Sequence, residues 1–184
     1  MQNEIVCILG KKGSGKSTLA KKYIINSKKP VIIWDFLGEY ENDVVCENLS
    51  EFQKAIKYVL LNKKRLFISV RKFKVEQFPL LCWVAYEIGN FLFVIEEATA
   101  VCNPSYIPEE FAFCFRYGRH KGLDLLTIAQ RPPEINRLLT SQSDIINVFR
   151  FTEPRDIDYI QRIDHTYNPE KLKKYEYHII DTRD

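Results

Sequence analysis

The chain has 184 residues, 46% of them hydrophobic and 28% charged, which is the composition of an ordinary folded globular protein. Its formal net charge is only +3, so nucleic-acid binding by a global field is excluded and any such contact must come from local basic patches. No apolar run is long enough to span a bilayer, and the five scattered cysteines (Cys7, Cys46, Cys82, Cys102 and Cys114) form no C-x-x-C pair, so they read as reduced cysteines of a cytoplasmic protein without membrane insertion.

In chain order, residues 5–9 form an apolar run that reads as a strand rather than a signal peptide. A helical pattern follows over 16–27, then a second strand over 31–34. Ser50 opens another helix, with Gln53 as a capping-box partner and Phe52, Ile56, Val59 and Leu60 on its apolar face. A strand at 66–70, a helix at 76–88 and a strand at 91–95 come next. Residues 103–108 form a proline-containing loop before a helix at 109–117, a strand at 123–129 and a helix at 133–139. A strand at 145–151, a helix at 154–163 and a final edge strand at 175–181 complete the pattern. Most strand runs are continuously apolar, as parallel strands buried on both faces are. Strands alternating with helices imply right-handed βαβ units and a doubly wound sheet.

Gly10-Lys11-Lys12-Gly13-Ser14-Gly15-Lys16-Ser17-Thr18 matches G-x-x-x-x-G-K-[ST] and sits between a strand and a helix. Glycines let the backbone curl with its N–H groups inward, and the helix N-terminus adds positive potential. This is the physics of a triphosphate cradle for ATP. Lys16 would reach the β- and γ-phosphates and Ser17 would ligate Mg²⁺. The expected fold is therefore α/β, a three-layer P-loop NTPase of RecA/ASCE-like type with a mainly parallel sheet flanked by helices. Residues 1–184 read as one domain, with its core over about 4–163 and a tail over 164–184.

The run at 91–95 ends in Glu96-Glu97, a Walker B arrangement with Glu96 where Asp is commoner. Glu96 is expected on the Mg²⁺ side, through water, and Glu97 as the base that polarises the attacking water. The strand over 125–129 runs into Gln130, whose amide would sense the γ-phosphate. Asp35, at the tip of 31–34, is a further candidate to line the site.

With these residues assembled, the chain resembles the HerA/FtsK superfamily of DNA-pumping ATPases from Glu4 to about Ile160. The likeness rests on the P-loop, on Asp35-Phe36-Leu37-Gly38-Glu39-Tyr40 as a D-x-x-G-E-Y element, and on Val94–Ala98. It also rests on Gly118-Arg119-His120-Lys121-Gly122, on Thr127–Pro132 and on Ile146–Thr152. The resemblance implies that Glu97 is the catalytic glutamate, Gln130 the sensor and Arg119 an arginine finger acting in trans, with Arg116 as competitor. A finger in trans implies a ring, commonly a hexamer. The bare core resembles the compact genome-packaging ATPases of viruses with an internal membrane. That implies double-stranded DNA as substrate, a capsid vertex or portal as docking partner, and the host cytoplasm or virion as location. A HerA-like helicase partner, a conjugation-type motor and a nucleotide-dependent assembly or secretion protein are the alternatives. A small-molecule kinase would need an acceptor pocket and an arginine-rich lid, and neither is visible. Arg71, Lys72 and Lys74, with Phe73 among them, are candidate DNA contacts in one loop, which reads equally as an ordinary solvated basic loop. Lys171, Lys173 and Lys174 read as a solvated cluster.

Overall fold

The structure, a computed structural model, describes residues 3–40 and 42–183. The elements are β1 (Ile5–Leu9), α1 (Lys16–Asn26), β2 (Val31–Trp34), β3 (Val44–Cys46), α2 (Leu49–Asn62), β4 (Phe67–Val70) and α3 (Phe78–Ile88). They continue with β5 (Leu92–Ile95), α4 (Glu109–Tyr117), β6 (Asp124–Ala129), α5 (Leu138–Ser141), β7 (Ile145–Phe149), α6 (Pro154–Gln161) and β8 (Tyr177–Asp181). One sheet runs in the order β3-β4-β2-β5-β6-β1-β7-β8. Every pairing is parallel except β7 with β8 at the edge.

The period of two divides each central strand between two cores. Ile5, Cys7 and Leu9 face one way with Ile32 and Trp34, and the buried residues of α2, α3, α4, α5 and α6 join them. Val6, Ile8, Val31 and Ile33 face the other way, where Leu19, Ala20 and Ile24 of α1 cover them. The result is the expected three layers, α1 on one face and the other helices opposite. Phe78 anchors the larger core, with ring centroids 5.1 Å from both Trp34 and Phe111 in edge-to-face contacts. All five cysteines are buried and free.

Several local expectations need correction. The sheet has an additional edge strand, β3, whose three residues are too few to show a period. Helix α2 is capped two residues before Ser50: Asn48 accepts from the Glu51 amide at 3.0 Å, and the Glu51 carboxylate accepts from the Glu47 amide at 2.8 Å. Its buried face is Phe52, Ala55, Ile56 and Val59, while Leu60, a position past the stripe, is 53% exposed. The helix expected over 133–139 is split into a 3₁₀ turn at Pro132–Glu134 and the short α5, because the backbone at Ile135 is extended (φ −96°, ψ 161°) and interrupts the helical hydrogen bonding. The last long strand stops at Phe149 because the next backbone groups turn to Tyr167, whose hydroxyl accepts from the Phe151 amide and donates to the Phe149 carbonyl, each at 3.0 Å.

Candidate active site

Parallel order places the C-terminal tips of β1, β2, β5 and β6 on one edge of the sheet, where α/β folds bind ligands. The Gly10 amide donates to the Ala129 carbonyl at 3.2 Å, so the P-loop leaves β1 level with Gln130 on β6. Gly13 and Gly15 have φ of 75° and 108°, which side chains rarely adopt. Gly10 is tight in a different way: an added Cβ would lie 2.7 Å from both Phe149 Cβ and Ser14 Oγ. Helix α1 begins without a side-chain cap and without an acid in its first turn. Its leading N–H groups are thus left to an anion.

Lys16 is buried, and its Nζ donates to the Lys11 carbonyl at 3.1 Å. Burial pushes its pKa down, opposed in decreasing order by Glu97, Glu96 and Glu39. Those three carboxylates therefore converge on the cradle lysine. Ser17 donates to Glu39 Oε2 at 2.9 Å, which sets Glu39 beside the serine expected to ligate Mg²⁺, a contact its sequence motif did not suggest. Lys11, Lys12, Gly13 and Thr18 are exposed along the loop and first helical turn.

Glu96 is buried, and its Oε2 has no hydrogen-bond partner. Burial pushes its carboxyl up to about 7; the nearby Tyr40 hydroxyl opposes this, and Glu39, Asp35 and Glu97 add to it. The Tyr40 hydroxyl is itself buried and makes no hydrogen bond of proper geometry. A buried, unpartnered carboxylate suits a single ligand, direct or through water, to a hard divalent cation that keeps most of its water. Among the described residues no cluster of three His, Cys, Asp or Glu forms a metal cage, so Ser17 and Glu96, with the phosphates, would have to supply the ligands.

Glu97 has φ 52°, in the left-handed region, a strained conformation for a residue with a side chain. Thr99 donates to its Oε1, and the Gln130 Nε2 donates to its Oε2 at 2.6 Å. Neither Thr99 nor the backbone twist was visible in the sequence pattern. Arg131, next to Gln130, pairs with Glu153 at 2.8 Å and Asp156 at 3.3 Å, clamping the tip of β6 to α6.

Asp35 does not line the site. It accepts from the Glu39 amide at 2.9 Å, from Ser69 at 3.1 Å and from Arg71 at 2.7 Å, so it holds the loop that presents Glu39. Arg71 is correspondingly committed inward, and it also donates to the Tyr40 carbonyl. Phe73 is buried and Lys72 pairs with Glu47 at 2.7 Å. Of the proposed DNA-contacting cations, Lys74 and the solvent-facing Lys72 remain turned outward.

Arg116 and Arg119 are exposed, and among the described residues neither makes an ion pair. They close α4 and the 3₁₀ turn Gly118–Lys121, which leads into the start of β6. That is the N-terminal edge of the sheet, opposite the P-loop. Neither arginine can reach the nucleotide of its own chain.

No protein-family profile matches the chain. In sequence it is similar to the DNA packaging ATPase P9 of Enterobacteria phage PRD1, at 24% identity over 165 residues, which cover 85% of this chain and 68% of that one. In structure it is similar to the genome packaging NTPase B204 of Sulfolobus turreted icosahedral virus 2, with TM-score 0.79 and 24% identity over 98% of this chain and 92% of that one. B204 has also been solved in complex with ATP-γS and AMPPCP. VirB4 of Thermoanaerobacter pseudethanolicus shares the fold, with TM-score 0.70 and 14% identity over 98% of this chain and 88% of that one. The resemblance to viral genome-packaging ATPases is supported in sequence by P9, and the P-loop NTPase fold is borne out by the likeness to B204 and VirB4.

Proposed function

We propose that this chain is the ATP-hydrolysing motor that packages a viral double-stranded DNA genome. The observation that carries the reading is the similarity to the packaging ATPase P9 over 85% of the chain, joined to a site in which Lys16, Glu96, Glu97 and Gln130 meet at one sheet edge. Residues 1–184 act as one ATPase domain.

In this reading the amides of 10–15 and Lys16 hold the β- and γ-phosphates. Ser17 and Glu96 would hold Mg²⁺, with Glu39 orienting the serine, and the ion would supply positive charge against the phosphates. Glu97 accepts a proton from water as the water oxygen bonds to the γ-phosphorus, the bond to the β–γ bridging oxygen breaks, and ADP and phosphate leave. Gln130 holds Glu97 and reports the γ-phosphate. Arg119 serves the neighbouring subunit's nucleotide, because its own lies on the far edge of the sheet, and this requires a ring, for which we take a hexamer. The ring grips DNA phosphates without reading bases, docks at a capsid vertex, and works in the host cytoplasm. No helix among the described residues is long and apolar enough to cross a membrane.

ATP turnover measured with and without long duplex DNA at low salt tests the reading. Stimulation that fades as salt rises is expected. Turnover indifferent to DNA would count against a DNA motor and favour an assembly or secretion ATPase.

A further inference from the structure

We infer that the cleft on the outer side of the P-loop, closed by Tyr175 and the tail turn around it, takes the nucleobase and ribose of the nucleoside triphosphate, with Tyr175 as the stacking surface. This rests on residues 10–17 being the triphosphate cradle.

A nucleoside triphosphate is longer than the loop that holds its phosphates, so its base must leave the cradle on one side. Toward β2 the way is taken by the loop carrying Glu39, whose carboxylate already meets Ser17. Toward β7 there is a cleft of about 530 Å³, with Lys11–Ser14 as one wall and Phe149, Arg150, Thr152 and Lys173–Glu176 as the other. That volume lies within the range of small-molecule sites.

Tyr175 is built for display rather than packing. It is 59% exposed and carries the Lys174 Nζ 4.9 Å from its ring centroid on one face, whereas Tyr167, well before it in the chain, is buried and Tyr177 packs on Phe149 with centroids 5.2 Å apart. Its φ of 71° is left-handed, a conformation that costs energy for any residue with a Cβ. The turn that enforces it is closed twice: the Glu176 amide donates to the Lys173 carbonyl at 3.1 Å, and the Glu176 carboxylate accepts from the Lys173 amide at 2.8 Å. The ring reaches back to the cradle itself, since a Cβ added at Gly15 would lie 3.3 Å from both Tyr175 Cδ1 and Phe149 Cε1. Strain, closure and an exposed ring at the mouth of a phosphate loop, with Lys174 on one face and the other left for stacking, are together explained by a flat ligand. Lys173 and Lys174 then line a nucleotide cleft rather than forming a merely solvated cluster.

An aromatic plane accepts any base, and stacking grows with ring size. The site should therefore prefer purine over pyrimidine triphosphates while separating ATP from GTP weakly.

Equilibrium binding of ATP, CTP and inorganic tripolyphosphate to the full chain, its Tyr175→Ala and Tyr175→Phe variants and Lys16→Ala tests this, with thermal unfolding as the check on folding. Tyr175→Ala should weaken ATP on the order of ten-fold and leave tripolyphosphate within about two-fold, while Tyr175→Phe keeps ATP affinity. Equal loss of both ligands, or of neither, would overturn the base site. If the alanine variant does not fold, the unaltered chain decides: ATP binding tighter than CTP and tripolyphosphate supports the site, and equal binding of all three refutes it. Lys16→Ala should lose every ligand; if it still binds tripolyphosphate, the cradle reading fails independently of Tyr175.

Discussion

Gln130 donates its side-chain amide to Glu97 across 2.6 Å, tying the tip of β6 to the tip of β5 at the carboxylate assigned to water activation. Thr99 takes the other oxygen, so each oxygen of Glu97 accepts one hydrogen bond and the carboxylate plane is fixed from both sides. In the proposed site a γ-phosphate oxygen would compete for the Gln130 amide and leave that Glu97 oxygen to the attacking water.

Gln130→Ala should therefore lower kcat by about ten-fold to a hundred-fold, a share of what a positioned general base contributes, with KM for ATP little changed. Steady-state turnover against ATP concentration reads both. A raised KM at normal kcat would place Gln130 in ground-state binding instead.

Glu97→Gln removes the proton acceptor and keeps the shape. Nucleotide affinity should persist while hydrolysis falls by about a hundred-fold or more, and Lys16→Ala should lose affinity as well. Hydrolysis at the normal rate in Glu97→Gln would move the base elsewhere, with Glu39 the next carboxylate to test.

Arg71 separates a structural cation from a DNA-contacting one. Asp35 has a fully buried side chain and Arg71 is its partner at 2.7 Å. Removing one member of such a pair strands the other, so Arg71→Ala should cost on the order of 2–4 kcal/mol in chemical unfolding. Lys74→Ala should leave stability unchanged and flatten the salt dependence of DNA binding. An Arg71→Ala protein of normal stability that binds DNA poorly would restore Arg71 to the DNA surface.

Such contrasts mark where local pattern stops being informative. The P-loop and the strand tips at Glu96 and Gln130 were legible because each is written in a few consecutive residues: glycines where φ is positive, or an apolar run ending in a polar group. The partnership of Asp35 with Arg71, the meeting of Ser17 with Glu39 and the burial of Phe73 join residues far apart in the chain. They depend on which strands become neighbours, which no single segment records. Strand β3 escaped because three residues carry no period, and the α2 cap because Asn48 and Ser50 are both good capping residues with an acceptor placed three positions on.

Arg119 is the residue whose role depends most on what surrounds the chain. Its turn lies at the N-terminal edge of the sheet and the P-loop at the C-terminal edge, so a catalytic effect of Arg119 can reach only another copy's nucleotide. An arginine supplied to the transferring phosphate in trans is worth about 10³–10⁵ in turnover. Arg119→Ala should accordingly abolish ATPase activity while leaving nucleotide binding and folding intact. Titrating it into the unaltered protein should depress activity faster than dilution alone, since every mixed ring contains a site facing a missing guanidinium. The same titration with Arg116→Ala should show dilution only. If the two titrations exchange outcomes, Arg116 is the finger; if neither poisons, both arginines are surface cations and the proposed trans finger is wrong.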